Sequence, residues 1–432
     1  MLQIAIAGAG VTGLVTAIAF AQYGHVVTIY ERKTEEVFAN EGGAAIQLQP
    51  NAVRILREWH IDISDVGHES DGMVVRRWST EETLAYAKPL AGVQFSILRS
   101  DFRRSMLAKA FEHGVKVFFN TDISGVDASR PALILGGGAP IPADLVIGAD
   151  GIGSKVRQSL FPSVRPIVGT DTGFQFQVPL SDLESQAAKA LIVQRTPNLT
   201  MGPGTATFSG PLFSRQVFDL QLLVREYNFE EDPHPDVFFE YVSDMRYLRR
   251  RFRDYGPVTQ ECLRKGKGAW KWRMSECDAP KWHSENGKVI LAGDSCHAMV
   301  PYAGQGAGMC IEDAAVLAEF FHNVSADEDH AFRVRARLYQ ELRQPRTTKT
   351  RLRSREMGIA YCLPDGKMQM KRDSALKGMQ ERKEKLPIKG NFDASPLSNA
   401  FDNWLEQYDA IDEARKALSK VSHHHAMPAS KL

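Results

Sequence analysis

The chain is short of cysteine, of charge imbalance and of long apolar runs, and each shortage removes a class of protein. Five cysteines (Cys262, Cys277, Cys296, Cys310 and Cys362) occur among 432 residues. Their number is odd and none lies in a CxxC pair, so reduced thiols in an intracellular protein are expected and not a disulfide framework. Lys and Arg number 53 against 52 Asp and Glu, a formal net charge of +1, which excludes whole-chain polyelectrolyte attraction to nucleic acid. With 43% hydrophobic and 24% charged residues, charge-driven disorder is excluded as well. No apolar run of about 18 or more residues follows the N-terminus, so no transmembrane segment is expected. Met1 to Ala21 is apolar but lacks the basic start of a signal peptide. Ser-His-Asp, HExxH and paired-carboxylate arrangements are missing too, and no metal site is expected.

What the chain does have begins at once. Leu2 to Ala7 reads as a short buried strand, Gly8-Ala9-Gly10-Val11-Thr12-Gly13 follows, and Leu14 to Tyr23 reads as a helix with Gly24 placed to cap it. Val26 to Tyr30 is a second apolar strand, ending in Glu31. This is a βαβ unit carrying GxGxxG and an acid 18 residues after the last glycine. Gly8 permits the tight turn, Gly10 lets backbone N–H groups approach a pyrophosphate, and Gly13 lets helix and strand pack closely. Glu31 can accept hydrogen bonds from ribose hydroxyls. The unit alone does not separate NAD from FAD.

Two distant motifs decide between them. Ala143 to Gly151 reads as a strand and turn, and with Ser154 and Arg157 gives DGxxSxxR. Lys288 to Asp294 is another strand ending in Gly-Asp, followed by His297, Pro301 and the loop Gly304-Gln305-Gly306-Ala307-Gly308, which opens a helix from Met309 to Phe321. In this order and spacing the three motifs resemble the class A flavoprotein monooxygenases, the single-component FAD aromatic hydroxylases, and within them the salicylate-hydroxylase-like branch of fungal type. Gly42 to Ala52, Leu98 to Phe102, Met201 to Gly204, Trp282 with Gly287, the series Tyr339, Glu341, Arg343, Pro345, Arg346, and Pro364 to Gly366 carry the likeness along the chain, from about residue 2 to 412.

The resemblance implies an α/β fold: a Rossmann-like FAD-binding domain interleaved with an antiparallel β-sheet substrate domain, and a C-terminal helical region. It implies FAD as cofactor, with NADPH or NADH and O2 as co-substrates. Glu31 would meet the adenosine ribose, Arg99 the ribose and pyrophosphate, Asp294 the ribityl chain, and Asp150 the cofactor region. Ala44 would approach FAD with its backbone. Pro301 would pack near the flavin ring, with Gly306 and Ala307 offering N–H groups to its N1–C2=O edge, where reduction builds negative charge. His297 is expected to be structural in such chains, and Arg157 is open between a cofactor role and an ion pair. A second strand–GxGxxG–helix unit is lacking. Gly136-Gly137-Gly138 reads as a hairpin turn, which fits transient nicotinamide binding.

The division expected is residues 1–165 for the first FAD-binding part, 166–275 for the substrate sheet, 276–330 for the returning FAD part, 331–412 for helices and 413–432 for a flexible tail. Extended runs are expected at Thr172–Val178, Leu191–Arg195, Thr205–Phe208 and Gln216–Val224, with an apolar inner face that keeps water from a flavin 4a-hydroperoxide. Arg195 and Gln47 are the candidates for groups acting on a small aromatic substrate, and Tyr227 is a further one with a competing core role. Two other readings stand beside hydroxylation. One is an FAD halogenase, although Trp270-Lys271-Trp272-Arg273-Met274 lacks that family's Ile-Pro. The other is a non-enzymatic carrier on the same fold, which the intact GQGAG loop opposes.

The neutral total hides a gradient. Residues 331–390 hold 17 Lys/Arg against 6 Asp/Glu, leaving the remainder at −10. A helical brace is the plain reading, and docking of a nicotinamide phosphate or of an anionic membrane surface the sharper ones. The chain ends Ser430-Lys431-Leu432 after a His423–His425 run. That tripeptide is expected to be an address read by the peroxisomal import receptor.

Overall fold

The computed structural model describes residues 1–138, 140–381 and 399–425. The Ser430-Lys431-Leu432 signal lies outside them. The chain starts with strand Gln3–Ala7, helix Val11–Gln22 and strand Val26–Tyr30, as the fingerprint predicts. These strands enter a five-stranded parallel sheet whose order across is Val289–Leu291, Leu145–Gly148, Gln3–Ala7, Val26–Tyr30, Lys116–Phe118. All three motif strands are therefore neighbours, and their carboxyl ends lie along one edge. Apart from the exposed Gln3, their side chains are apolar and buried, as a sheet covered on both sides requires. Helices Val11–Gln22, Arg99–Glu112 and Gly306–Phe321 pack together over it.

A three-stranded sheet follows, with Ala45–Leu48 and Gly67–Ser70 flanking Gln94–Leu98. One face, with Leu48, Phe95 and Ile97, joins the main core. The opposite face carries Gln47, Ser96 and His68 in one cross-strand row.

The substrate sheet has eight strands. Residues 166–275 supply most of them, but Met73–Arg77 and Thr83–Ala87 also join it, the first pairing in parallel with Asn198–Gly202. Its centre is Ile167–Pro179 against Val217–Val224. Phe174, Phe176, Val178, Phe218, Leu220 and Leu222 share one face, buried under helices Gln186–Gln194, Arg246–Arg251 and Pro257–Lys265. The extended run expected at Leu191–Arg195 is instead the end of helix Gln186–Gln194. Ser185 caps it by accepting from Ala188 N–H, and Gln186-Ala-Ala-Lys-Ala is a run of good helix formers. The expected apolar inner face is also corrected: the fully apolar face meets these helices, while the face toward the FAD-binding half is mixed.

The expected glycine turn joins two strands, Ala132–Leu135 and Pro140–Pro142, which pair antiparallel. C-terminal to the flavin loop run the helices Asp329–Tyr361, Lys367–Glu381, Asn399–Glu406 and Ala410–His425. The last corrects the expected tail from 413: Ala410, Ile411 and Ala414 are buried in the main core, so apolar burial holds this stretch as helix. The basic 331–390 region spends much of its charge internally. Arg343 and Arg346 meet Glu312, Arg351 meets Asp278 at 2.5 Å, Arg355 meets Glu276, and Lys377 meets Glu82. These partners lie outside the segment, whereas Arg337 with Glu341 and Arg372 with Asp373 pair within it. No helix among the described residues is long and apolar enough to cross a membrane.

Candidate active site

The sheet edge brings the three motifs within contact. A Cβ on Gly8 (φ +97°) would sit 2.7 Å from the carbonyl oxygen of Ala149, and one on Gly293 (φ +63°) would sit 2.2 Å from Thr12 Oγ1 and 3.1 Å from Cys310 Sγ. The first glycine loop thus packs on the Asp150 strand end, and the Gly-Asp turn is wedged between the fingerprint helix and the helix of the GQGAG loop. Both positions need a left-handed backbone and no side chain.

One set of motif residues is consumed by the fold. Asp313 Oδ2 lies 2.5 Å from His297 Nε2 and accepts from Gly293 N–H at 2.9 Å, while its Oδ1 accepts from Arg343 Nε at 2.8 Å. Glu312 accepts from Arg343 Nη1 at 2.5 Å, Arg346 Nε at 2.7 Å and Asn51 Nδ2 at 2.6 Å. Burial pushes both carboxyls up, but His297 and Arg343 hold Asp313 down at about 2, and Arg346 and Arg343 hold Glu312 below the usual range. His297 is therefore a structural partner of Asp313, as expected. Arg157, fully buried, donates to the carbonyls of Ser295 at 2.6 Å and Ile152 at 2.5 Å. It is structural, but it ties two turns through carbonyl oxygens and makes no ion pair among the described residues.

A second set is bonded only in part or not at all through its side chains. Asp294 is half-buried and Arg99 exposed, and the side chain of neither makes a hydrogen bond or ion pair among the described residues. Both act electrostatically on Cys310, whose thiol is pushed up chiefly by burial. Asp150 caps helix Lys155–Leu160 by accepting from Lys155 N–H at 2.7 Å and Val156 N–H at 3.1 Å, yet its Oδ1 is sealed with no partner. Burial raises its carboxyl despite these donors. Glu31 accepts from Ala9 N–H at 2.8 Å and Lys33 N–H at 2.9 Å, so it also ties the glycine loop to the second strand. Gly10 and Gly306 face open space, with nothing within 4 Å of an added Cβ. Gly306 and Ala307 open a helix whose first-turn N–H groups have no intrahelical acceptor. Pro301 opens the half-buried turn Pro301–Ala303 just before it. Arg99 N–H donates to the Ala44 carbonyl at 3.1 Å, and Gly43 packs on the Arg99 side chain. An anion-binding helix end, an unpaired guanidinium and an unpaired carboxylate along one groove fit the pyrophosphate and polyol of FAD.

The mixed face of the eight-stranded sheet closes over this edge. Leu199, Met201, Ala206, Leu223 and Met274 cluster there with Tyr302 of the flavin loop, and Phe208 and Trp272 pack against them half-buried. In its middle lies a polar group that the motif search missed. Asp219, 1% exposed, accepts from Gln175 Nε2 at 2.7 Å, Gln177 Nε2 at 3.2 Å, Gln221 Nε2 at 3.1 Å and Ala45 N–H at 3.2 Å. Burial lifts its carboxyl above the usual range despite these donors. Gln221 and Gln177 also donate to the carbonyls of Ala45 at 2.9 Å and Gly43 at 3.4 Å. The signal was present as strict alternation in Phe174-Gln-Phe-Gln-Val178 and Phe218-Asp-Leu-Gln-Leu222.

Of the substrate-side candidates, Gln47 is half-buried and accepts from Ser96 Oγ at 3.1 Å. Arg195 is exposed, in the left-handed conformation (φ 55°), with its guanidinium stacked 4.2 Å over Phe213. Its carbonyl, not its charge, reaches this neighbourhood, 3.3 Å from His68 Nε2. Burial holds the His68 imidazole below its usual value. Tyr227 packs on Phe174 and Tyr247 in the helix-covered core, which is its core reading.

A parallel nucleotide-binding sheet, an antiparallel sheet capping its carboxyl edge and a groove of unpaired phosphate and polyol partners define an FAD-dependent oxidoreductase. The chain belongs to the FAD binding domain family, which matches residues 1–351. It is 30% identical to the FAD-dependent monooxygenase OpS4 of Beauveria bassiana (strain ARSEF 2860), over 97% of this chain and 98% of that one. It is 29% identical to the 3-amino-4-hydroxybenzoate 2-monooxygenase PtnB3 of Streptomyces platensis, over 92% and 98%. In fold it matches a salicylate hydroxylase substrate complex with a TM-score of 0.76 at 22% identity, over 96% of this chain and 98% of that one. The protein is thus an enzyme, an FAD-dependent monooxygenase of the class A aromatic hydroxylase type.

Proposed function

We propose that the enzyme uses NADPH or NADH and O2 to hydroxylate a small aromatic molecule of the phenolic, salicylate-like or indole type. The observation that supports this is the contact between the mixed sheet face and the cofactor half: Asp219 and Gln221 bond to Ala45, two residues before Gln47, Ala44 accepts from Arg99 N–H, and Tyr302 of the flavin loop packs on the same face. Bound FAD would supply the redox chemistry, taking electrons from the nicotinamide and activating oxygen for transfer to an electron-rich ring. The protein's part is to hold and to exclude. Glu31, Arg99 and Asp294 anchor the cofactor, Leu223, Met274, Phe208, Trp272 and Tyr302 keep water from the reacting atoms, and Gln47 orients the ring by hydrogen bonding. Epoxidation or dearomatising hydroxylation would use the same oxygen transfer. The purified protein should be yellow, and a competent aromatic should stimulate NAD(P)H oxidation with one labelled oxygen atom from ¹⁸O2 in the product. Peroxide release without labelled product for every ring tried would defeat this reading. We also propose a peroxisomal location through Ser430-Lys431-Leu432, checked by a fluorescent fusion with its N-terminal partner, with and without the last three residues.

A further inference from the structure

We propose that the cleft selects an uncharged aromatic bearing N–H or O–H donors, and that Asp219 sets this preference by orienting three carboxamides. The inference rests on the aromatic hydroxylase reading and narrows its substrate class. A carboxylate is an acceptor only, so each carboxamide that reaches it must turn its NH2 group inward. Gln175, Gln177 and Gln221 all do so, and Gln177 and Gln221 donate again to backbone carbonyls. Their Oε1 atoms make no hydrogen bond among the described residues, and none is sealed from solvent in the way that Asp150 Oδ1 is. The sheet therefore presents a cluster of carbonyl acceptors, backed by a buried carboxyl group each of whose oxygens accepts two N–H donors.

The sheet itself supplies no charge to offset that polarity at these positions, and Arg99, whose side chain adjoins Gly43, is the group assigned to the cofactor. Gln175, Gln177, Asp219, Gln221 and Leu223 on the two central strands, with Ala206 and Phe208 beside them, include no cation. Arg77, farther out on the sheet, is spent on Asp365 and Asp373. A buried carboxyl group with four N–H donors and no cationic partner among the described residues is costly to keep as packing alone, which argues for an orienting role. Gln47, whose Oε1 is taken by Ser96, leaves its Nε2 donor for a carbonyl or hydroxyl oxygen of the same ligand. A donor-bearing ring satisfies this wall, whereas an aromatic carboxylate meets acceptors and loses its own hydration uncompensated.

The test uses FAD-loaded enzyme and the perturbation of the flavin absorption spectrum on binding, which needs no turnover. Salicylamide and salicylate form a matched pair, with phenol and indole as further uncharged donors. The wild type should bind salicylamide about tenfold or more tighter than salicylate. Asp219→Asn places an NH2 group among the donors and frees at least one carboxamide to reverse, so the preference should fall below about threefold. If that variant does not hold FAD, Gln221→Met, which removes one acceptor and keeps the carboxylate, is judged by the same fall. Equal or tighter binding of salicylate, no binding of any uncharged donor, or an unchanged preference in a folded, loaded variant would overturn the proposal. A panel that binds as expected while no ring stimulates NAD(P)H oxidation would instead strike the hydroxylase reading and leave this one standing.

Discussion

Two regions built from the same motifs behave in opposite ways. Beneath the flavin loop, Glu312, Asp313, His297, Arg343 and Arg346 form a fully buried network in which each group faces an opposite charge or a donor. By contrast, the Asp294 and Arg99 side chains have no hydrogen-bond or ion-pair partner among the described residues. Asp294 and His297 are three residues apart on one turn, yet one is left for a ligand and the other is spent on the brace. Motif spacing places a residue near a site; only its bonding shows on which side of the boundary it falls.

The brace should give the largest effect when broken. Arg343→Met leaves Glu312 and Asp313 with one cation fewer in a dry interior, and truncating one partner of such a pair costs about 3–5 kcal/mol. Urea unfolding of the FAD-free protein should show that loss, and a change below about 1 kcal/mol would mean that Arg346 and His297 suffice. Acid should attack the same place. Asp313 is held at about 2 by His297 and Arg343 against the upward push of burial, while an unfolded Asp titrates near ~3.9. Its contribution is thus complete above about pH 4 and is lost as pH falls toward 2. Asp313→Asn should be less stable at neutral pH, with a flatter stability profile across that window.

The groove should show the converse: ligand affinity lost, fold kept. Asp294→Ala removes a charged hydrogen-bond acceptor worth about 1.5–3 kcal/mol, so the FAD dissociation constant should rise about 10- to 100-fold. Unfolding of the FAD-free protein should stay within about 0.5 kcal/mol of wild type. Arg99→Gln should weaken FAD in the same way and flatten the salt dependence of binding, because the lost term is electrostatic. A variant that destabilised the FAD-free protein as much as it weakened FAD would move that residue into the brace.

This boundary also marks where sequence reasoning stopped. The parallel sheet was legible because a GxGxxG turn, an acid at a strand end and two later strand–turn motifs each demand a local backbone that few sequences supply. The eight-stranded sheet was legible in its central strands, where period-2 alternation is strong. It failed at Gln186–Gln194, where Leu191-Ile-Val looks extended but Ser185 starts a helix, and at Met73–Arg77, whose parallel partner lies more than a hundred residues away. Asp219 was overlooked although its alternation with Phe218 and Leu220 was visible, because alternation reports a polar face without saying whether that face meets water or a cleft. The basic segment 331–390 was visible as charge, but many of its acidic partners lie far along the chain, so brace and docking surface look alike in one dimension.

Arg195 tests the comparison at its weakest point. By residue type and by the turn that follows, it is the strongest cationic candidate on the substrate side. In the structure it caps a helix with its charge in solvent over Phe213, and an exposed cation–π contact is worth about 0.5–1 kcal/mol. Arg195→Ala should therefore cost no more than that in urea unfolding and leave kcat/KM for the aromatic within about twofold. A loss of tenfold or more, with FAD affinity unchanged, would put its guanidinium in the cleft during turnover. It would also supply the cation that the acceptor-lined wall lacks, and so bring aromatic carboxylates back within the enzyme's reach.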